Sequence, residues 1–273
     1  MIVLIDSFNK HQHSEILNEM FLLRASQSVG ASGAVDAVQG GDVPDDFDRL
    51  DPAYIVGLDE ACRVISCVRV LQTTGPHVLA DLCYDLLQGE PPLRTATLWE
   101  ATCFCVDTAR LDASGQGAGS VVGAISAITV ALLEYARDSG VEDIITVITP
   151  QLRDIFQQAG IVPFDCLGAT AHPCETQTLV ALLACTDAQI AHLRAISGLE
   201  GALFADDAHV CAMRAGGGSI VQLKLDLSDD IALYLLEQID AAKTMQELQA
   251  AIALTRHMLE PGGPGAQRGT LGS

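Results

Sequence analysis

Aromatic residues make up only 4% of this 273-residue chain, with a single tryptophan, and positive charge is equally scarce, 15 Lys and Arg standing against 35 Asp and Glu. The formal net charge of -20 repels phosphate backbones and anionic lipid, so neither nucleic acid nor a membrane surface is an expected partner. No apolar run reaches the roughly 18 to 20 residues of a membrane span. The opening run Ile2 to Ile5 is interrupted by Asp6 and Lys10 where a signal peptide would continue, and a cytoplasmic protein is expected. CxxC pairs are absent. The nine cysteines are odd in number and sit mostly inside apolar runs such as Val-Ile-Ser-Cys67-Val and Leu-Leu-Ala-Cys185, which suits buried reduced thiols and argues against a disulfide framework. His11, His13, His77, His172, His192, His209 and His257 show no metal-ligand spacing with acidic or Cys partners, so no metal site is expected.

What is present is apolar: 49% hydrophobic content is enough for one large domain, or one domain with an appendage. Ile2 to Ile5 reads as a strand, and Ser14 to Arg24 as a helix with Ile16, Leu17, Met20, Phe21 and Leu23 on one spacing. Residues Ala25 to Gly41 are small and polar, which fits a mobile segment over a site or a loop with no role. Ala53 to Leu58 and Arg63 to Leu71 alternate as a hairpin of central strands, and Leu98 to Val106 follows as the next strand. A long helix over Gly119 to Arg137, a strand at Ile144 to Ile148, a helix over Gln151 to Ala159 ending at Gly160, and a strand from Ile161 to Leu167 complete the series. Beyond Asp187 the pattern predicts a strand at Ser219 to Leu227, a capped helix from Ser228-Asp229-Asp230 through Ile239, and a helix from Thr244 to Met258. The final stretch from Pro261 is too poor in apolar residues to order itself.

Four short strings stand in one order: Met20-Phe-Leu-Leu-Arg24, Asp45-Asp-Phe-Asp48, Arg69-Val-Leu-Gln-Thr-Thr-Gly-Pro76 and Trp99-Glu100-Ala-Thr102-Cys-Phe-Cys-Val-Asp107. Each is short, and the weight lies in the ordered series. It resembles the acyl-homoserine-lactone synthases, the autoinducer synthases of bacterial quorum sensing, over roughly residues 1 to 185. The resemblance implies an α/β fold of the acetyltransferase (GNAT-like) type, a three-layer sandwich with a mixed central sheet. The resemblance covers an autoinducer-synthase-like domain at 1–186, and beyond it the sequence pattern gives a C-terminal extension of strand and helices at 187–260 and a disordered tail at 261–273. The extension fits a surface for a homodimer or another partner, or a cover over an exposed face.

The implied chemistry has two steps. The α-amine of S-adenosylmethionine attacks an acyl thioester, and the methionine carboxylate then displaces methylthioadenosine to close a lactone. The substrates are S-adenosylmethionine and either acyl-CoA or acyl carrier protein, with no separate cofactor, and the acidity of this chain favours acyl-CoA over the strongly acidic carrier protein, or no acyl donor at all. Asp45 and Asp48 match the family's carboxylate pair, suited to a cationic sulfonium and ammonium. Read alone, Asp42, Asp45, Asp46, Asp48 and Asp51 also fit a solvated acidic loop. Arg24 and Arg69 match family positions that grip a carboxylate or lock the acidic loop to the sheet. Arg69 lies within the apolar Cys67-Val-Arg-Val-Leu71, so it faces a cavity, joins a buried ion pair or lies on an edge strand facing water. Glu100 matches the general base, acting through a water, and its apolar strand would raise its pKa by desolvation; the structural alternative is a Glu bonded to backbone amides. Thr102 shares its face of the strand and matches a family position that contacts the acyl chain.

The chain departs from the pattern at three places. Ser28 and Ala34 stand where the family has Phe and Trp, and Cys103 stands where it has Arg. The first two remove rings beside S-adenosylmethionine and the third removes a guanidinium beside the acidic residues. These departures keep other outcomes open: a homologue that cleaves S-adenosylmethionine or acylates another amine, or a non-catalytic relative that binds a ligand or partner. Gly115-Gln-Gly-Ala-Gly-Ser120 before the long helix resembles the loop by which acetyltransferases hold the CoA pyrophosphate, a weak signal because such loops are frequent.

Overall fold

The β-branched and apolar runs build a seven-stranded mixed sheet in a computed structural model that describes residues 1–28, 44–113, 117–167 and 178–216. The strands are β1 (Ile2–Ile5), β2 (Ala53–Leu58), β3 (Val64–Gln72), β4 (Leu98–Val106), β5 (Asp143–Ile148), β6 (Asp165–Leu167) and β7 (Leu179–Ala184). Their order is β1-β2-β3-β4-β5-β7-β6, and β4 with β5 is the parallel pair among antiparallel neighbours. Helices cover both faces, giving the three-layer α/β arrangement.

Helix α1 (Ser14–Ser28) lies against one face. Ile16, Met20 and Leu23 recur at helical spacing and pack on Val3, Ile5, Val56 and Cys105. Arg24 sits on the same buried stripe. Farther along that face, the short α2 (Val78–Asp81) and a 3-10 turn at Tyr84–Leu87 pack on Leu71, Leu98, Ile145 and Leu182. On the other face, α4 (Gly117–Asp138) presents Ile125, Ile128 and Leu132 to Ile55, Val68, Val70 and Ala101. It is preceded by α3 (Thr108–Ala113) and followed by α5 (Pro150–Gln158), whose Thr149 cap accepts the Leu152 N–H at 3.3 Å with Pro150 at its first position. Helices α6 (Asp187–Ser197) and α7 (Asp207–Gly216) belong to the same compact unit, Met1–Gly216.

The hairpin, the long helix and the strand at β5 stand where the sequence predicts them, within one or two residues. Three differences have physical causes. The predicted strand Ile161 to Leu167 is regular only from Asp165, after the Phe164 N–H donates to the Leu182 carbonyl at 3.0 Å, because Gly160 turns at φ +68° and Pro163 has no N–H to donate. Strand β7 escapes a period-2 search because Leu-Val-Ala-Leu-Leu-Ala is apolar on both faces, as a strand held between β5 and β6 must be. The helix predicted to end at Arg24 runs on to Ser28, after which the small polar segment, with Ala34, lies outside the described residues. The glycine-rich string at 115–120 lies partly outside them, and the strand, helices and tail predicted beyond residue 217 lie wholly outside. Among the described residues no helix is long and apolar enough to cross a membrane, and no group of His, Cys, Asp and Glu could hold a metal ion.

Candidate functional site

Four of the six singled-out side chains meet in one buried cluster. Arg24 Nη1 donates to Asp48 Oδ1 at 2.7 Å, and Arg69 Nη1 donates to Asp45 Oδ1 at 2.6 Å and to Asp48 Oδ1 at 3.0 Å. Arg24 Nη2 reaches Asp45 Oδ2 at 3.4 Å. The carboxylates are held in place by their own backbone. Asp45 caps the 3-10 turn Asp46–Leu50, accepting the Asp48 N–H at 3.0 Å, while the Asp48 side chain accepts the Asp45 N–H at 2.8 Å. The acidic stretch therefore divides in two: Asp48 is 3% exposed in the cluster, whereas Asp46 is 89% exposed against Arg49.

Both guanidiniums are fully buried, which a lone charge could not sustain. Two carboxylates balance them, and Phe21 and Phe47 place ring faces 5.5 and 5.6 Å from the Arg24 and Arg69 Cζ atoms. Burial works against ionisation of Asp48, but the hydrogen bond and charge of Arg24, with the charge of Arg69, outweigh it and hold the carboxyl at about 2. Tyr54, the cross-strand partner of Arg69, donates its hydroxyl to Asp48 at 2.7 Å. Burial first, then the Asp48 charge, pushes that phenol up. The sequence singles out neither Tyr54 nor Phe47 and gives Phe21 only a place on the apolar stripe of α1. Tyr54 becomes findable once the β2–β3 register sets it opposite Arg69.

Glu100 lies apart from this cluster, and its environment is the amide-bonded one. Its two oxygens accept the N–H groups of Leu79 at 2.6 Å and Val78 at 2.8 Å, at the first turn of α2. Burial raises its pKa, against the pull of those two amides, His77 and Arg69. Thr102 connects cluster and sheet, its hydroxyl accepting from Arg69 Nε at 3.1 Å.

Just past Thr102 the sheet opens. β4 and β5 pair only from Leu98↔Asp143 to Ala101↔Thr146. On its other side β4 carries a bulge, since Arg69 pairs with Thr102 but Cys67 with Cys105, leaving Cys103 and Phe104 opposite Val68. Cys103 takes the left-handed φ of 58° there. The extra residue lets Phe104 pack on Phe156 of α5 while Cys105 returns to the α1 face. A cleft of about 170 Å3 lies between the diverging strands, bounded by Thr102, Cys103 and Phe104, by Val121 and Ile125 of α4, and by Leu152 of α5. Gln27 closes one side, its amide donating to the Val106 carbonyl. Burial pushes the Cys103 thiol up despite Arg69 and Arg24, which makes it a poor nucleophile. An arginine in its place would be a third guanidinium beside these two.

Known proteins share both sequence and fold with this chain. An acyl-homoserine-lactone synthase of Acinetobacter baumannii is 32% identical over 119 residues, which are 42% of this chain and 62% of that protein, less than two thirds of its length. One from Rhizobium radiobacter is 27% identical over 161 residues, 59% of this chain and 75% of that protein. Among solved structures, the CoA-dependent acyl-homoserine lactone synthase BjaI, with SAM and isopentyl-CoA, superposes with a TM-score of 0.58 at 21% identity, covering 79% of this chain and 99% of that one. MesI, also described as CoA-dependent, gives 0.56 at 23%, covering 76% and 100%. At such identities the superpositions establish the fold. The sequence profile described as "Autoinducer synthase" matches residues 7–193, more than half of the chain, and the protein belongs to that family.

Proposed function

We propose that this protein is an acyltransferase of the acyl-homoserine-lactone synthase type. It would acylate the α-amine of S-adenosylmethionine from an acyl thioester and release methylthioadenosine as the lactone closes. The observation that carries this reading is the position of Thr102. It holds Arg69 of the charged cluster and also lines the cleft between β4 and β5, so an acyl group in the cleft would end beside the cluster. The diverging strands offer unpaired backbone and apolar walls, suited to a thioester and its chain. Arg24, Asp45, Asp48 and Arg69 form a hydrogen-bonded, largely buried wall that would place the aminoacyl end of S-adenosylmethionine.

Glu100 takes the ammonium proton in this mechanism. Each of its oxygens accepts one N–H and keeps a lone pair for a bridging water. Its raised pKa makes it a better acceptor than a solvated carboxylate. The freed amine attacks the thioester carbonyl, the thiolate leaves, and the carboxylate then attacks the carbon bound to sulfonium, expelling methylthioadenosine. Two substrates suffice and no separate cofactor is required. The acyl donor is acyl-CoA rather than the carrier protein, because a net charge of -20 opposes docking of another strongly acidic protein. The free cysteines of the described residues fit a reducing cytoplasm.

One observation favours a second reading. The two guanidiniums already neutralise Asp45 and Asp48, so the cluster offers a cationic substrate little net charge. That suits a different amine, cleavage of S-adenosylmethionine without acylation, or a relative that binds without turnover. Mass spectrometry of the purified full chain with S-adenosylmethionine and a panel of acyl-CoA and acyl-carrier-protein thioesters separates these outcomes. An N-acyl lactone formed from an acyl-CoA is expected, with its loss in Glu100→Gln. Homoserine lactone without acylation, an acylated amine of another kind, or no product with any thioester would each overturn the first reading.

A further inference from the structure

The opposite end of the sheet encloses a second and larger cavity, of about 450 Å3. It lies where β1 ends, β2 begins, β3 ends and β4 begins, at the other end of β4 from the cleft. Three of the chain's few aromatic side chains line it: Phe8, Trp99 and Tyr135. Trp99 and Tyr135 are in tilted contact with centroids 5.2 Å apart, while Phe8 is 84% exposed. Phe8 is held by a turn in which its N–H donates to Asp6 Oδ1 at 2.8 Å and the Asp6 N–H donates to Asn9 Oδ1 at 2.9 Å. Asp6 and Asp51 also line the cavity, Asp51 paired with Lys10, and among the described residues no Lys or Arg lines it. Its carboxylate is near enough to Tyr135 that its charge adds to burial in pushing the phenol up.

We propose that this cavity binds an alkylated onium cation, a quaternary ammonium or a trialkylsulfonium. Ring faces attract such cations electrostatically, and alkyl groups that cannot donate hydrogen bonds fit an aromatic wall better than a primary ammonium would. Asp6 supplies the counter-charge, Asp51 being paired with Lys10. The shared chemistry has two sources, a free quaternary ammonium such as choline and the sulfonium of S-adenosylmethionine. Neither requires the acyl transfer proposed above, and the cavity is lined by none of Arg24, Asp45, Asp48, Arg69, Glu100 and Thr102.

Trp99 is the chain's single tryptophan, so its fluorescence reports on this cavity directly. The full chain is titrated with choline against its uncharged isostere 3,3-dimethylbutanol, and with S-adenosylmethionine against S-adenosylhomocysteine, at constant ionic strength. A saturable change is expected with at least one cation, its neutral counterpart binding roughly tenfold or more weakly. A response to choline assigns the ammonium source and one to S-adenosylmethionine the sulfonium source. Asp6→Asn and Phe8→Ala, both outside the proposed catalytic machinery, are expected to weaken that binding about tenfold while leaving methylthioadenosine release unchanged. No saturable response to either cation, equal binding of the neutral partner, or a response that survives both substitutions would overturn the proposal. The last result would mean that Trp99 is sensing the Asp45 and Asp48 site instead.

Discussion

Asp48 carries the largest share of the electrostatics, since it accepts from Arg24, Arg69 and Tyr54 at once. Its replacement by Asn would leave two buried guanidiniums facing one carboxylate, and Asp48→Asn is expected to lower the unfolding free energy by about 3 kcal/mol, measured by urea denaturation at neutral pH. Because the folded carboxyl ionises near 2 and the ordinary value is 3.8, its stabilisation is fully present above about pH 4 and is lost as pH falls through about 2. The gap between wild type and variant should therefore narrow across that window, and a gap constant down to pH 2 would contradict the pairing. Glu100 behaves oppositely, burial having raised its pKa. A base must be ionised to act, so kcat/KM is expected to fall on the acid side at a pH above the ordinary glutamate range, a limb that Glu100→Gln would remove with the activity. At this scale the sequence made the pieces legible but not their pairing. Arg24, Asp45, Asp48, Arg69, Thr102 and Glu100 were visible through one ordered series, whereas the amides that hold Glu100 come from Val78 and Leu79, backbone groups that carry no signature of their own.

The element on which the candidate site is built is β4. Its bulge at Cys103 reverses which side chains face α1 and lies where pairing with β5 ends. A β-branched side chain tolerates the left-handed φ of 58° poorly, so Cys103→Val is expected to be about 2 kcal/mol less stable than Cys103→Ala although valine buries more carbon. Equal urea midpoints would mean that the bulge relaxes freely. The alternation of Leu98 to Val106 predicts the strand, yet nothing in Thr-Cys-Phe-Cys announces an inserted residue, because a cysteine at positive φ has no compositional mark. Periodicity served best where one face of an element is wet. It located α1, whereas β2 and β3, buried on both faces like β7, are marked by β-branched residues around a polar turn, a mark that Leu-Val-Ala-Leu-Leu-Ala lacks.

For the whole molecule, a net charge of -20 means that self-repulsion opposes compactness. Raising sodium chloride from about 10 to about 150 mM shortens the screening length to roughly 8 Å and is expected to raise Tm by several degrees, read by scanning calorimetry. The buried cluster is shielded from the solvent, and a falling Tm would show that its ion pairs, rather than surface repulsion, dominate. The same charge underlies the expectation that acyl-CoA, not the acidic carrier protein, delivers the acyl group. Fold and family were legible in the order of a few short strings, while the coupling of cleft and charged cluster through Thr102 depends on strands far apart in the chain. That coupling is tested by counting two products together, the thiol freed from acyl-CoA and the methylthioadenosine freed from S-adenosylmethionine. One-for-one release that requires both substrates is the predicted result. Methylthioadenosine formed without thioester, or thiol released without methylthioadenosine, would contradict it.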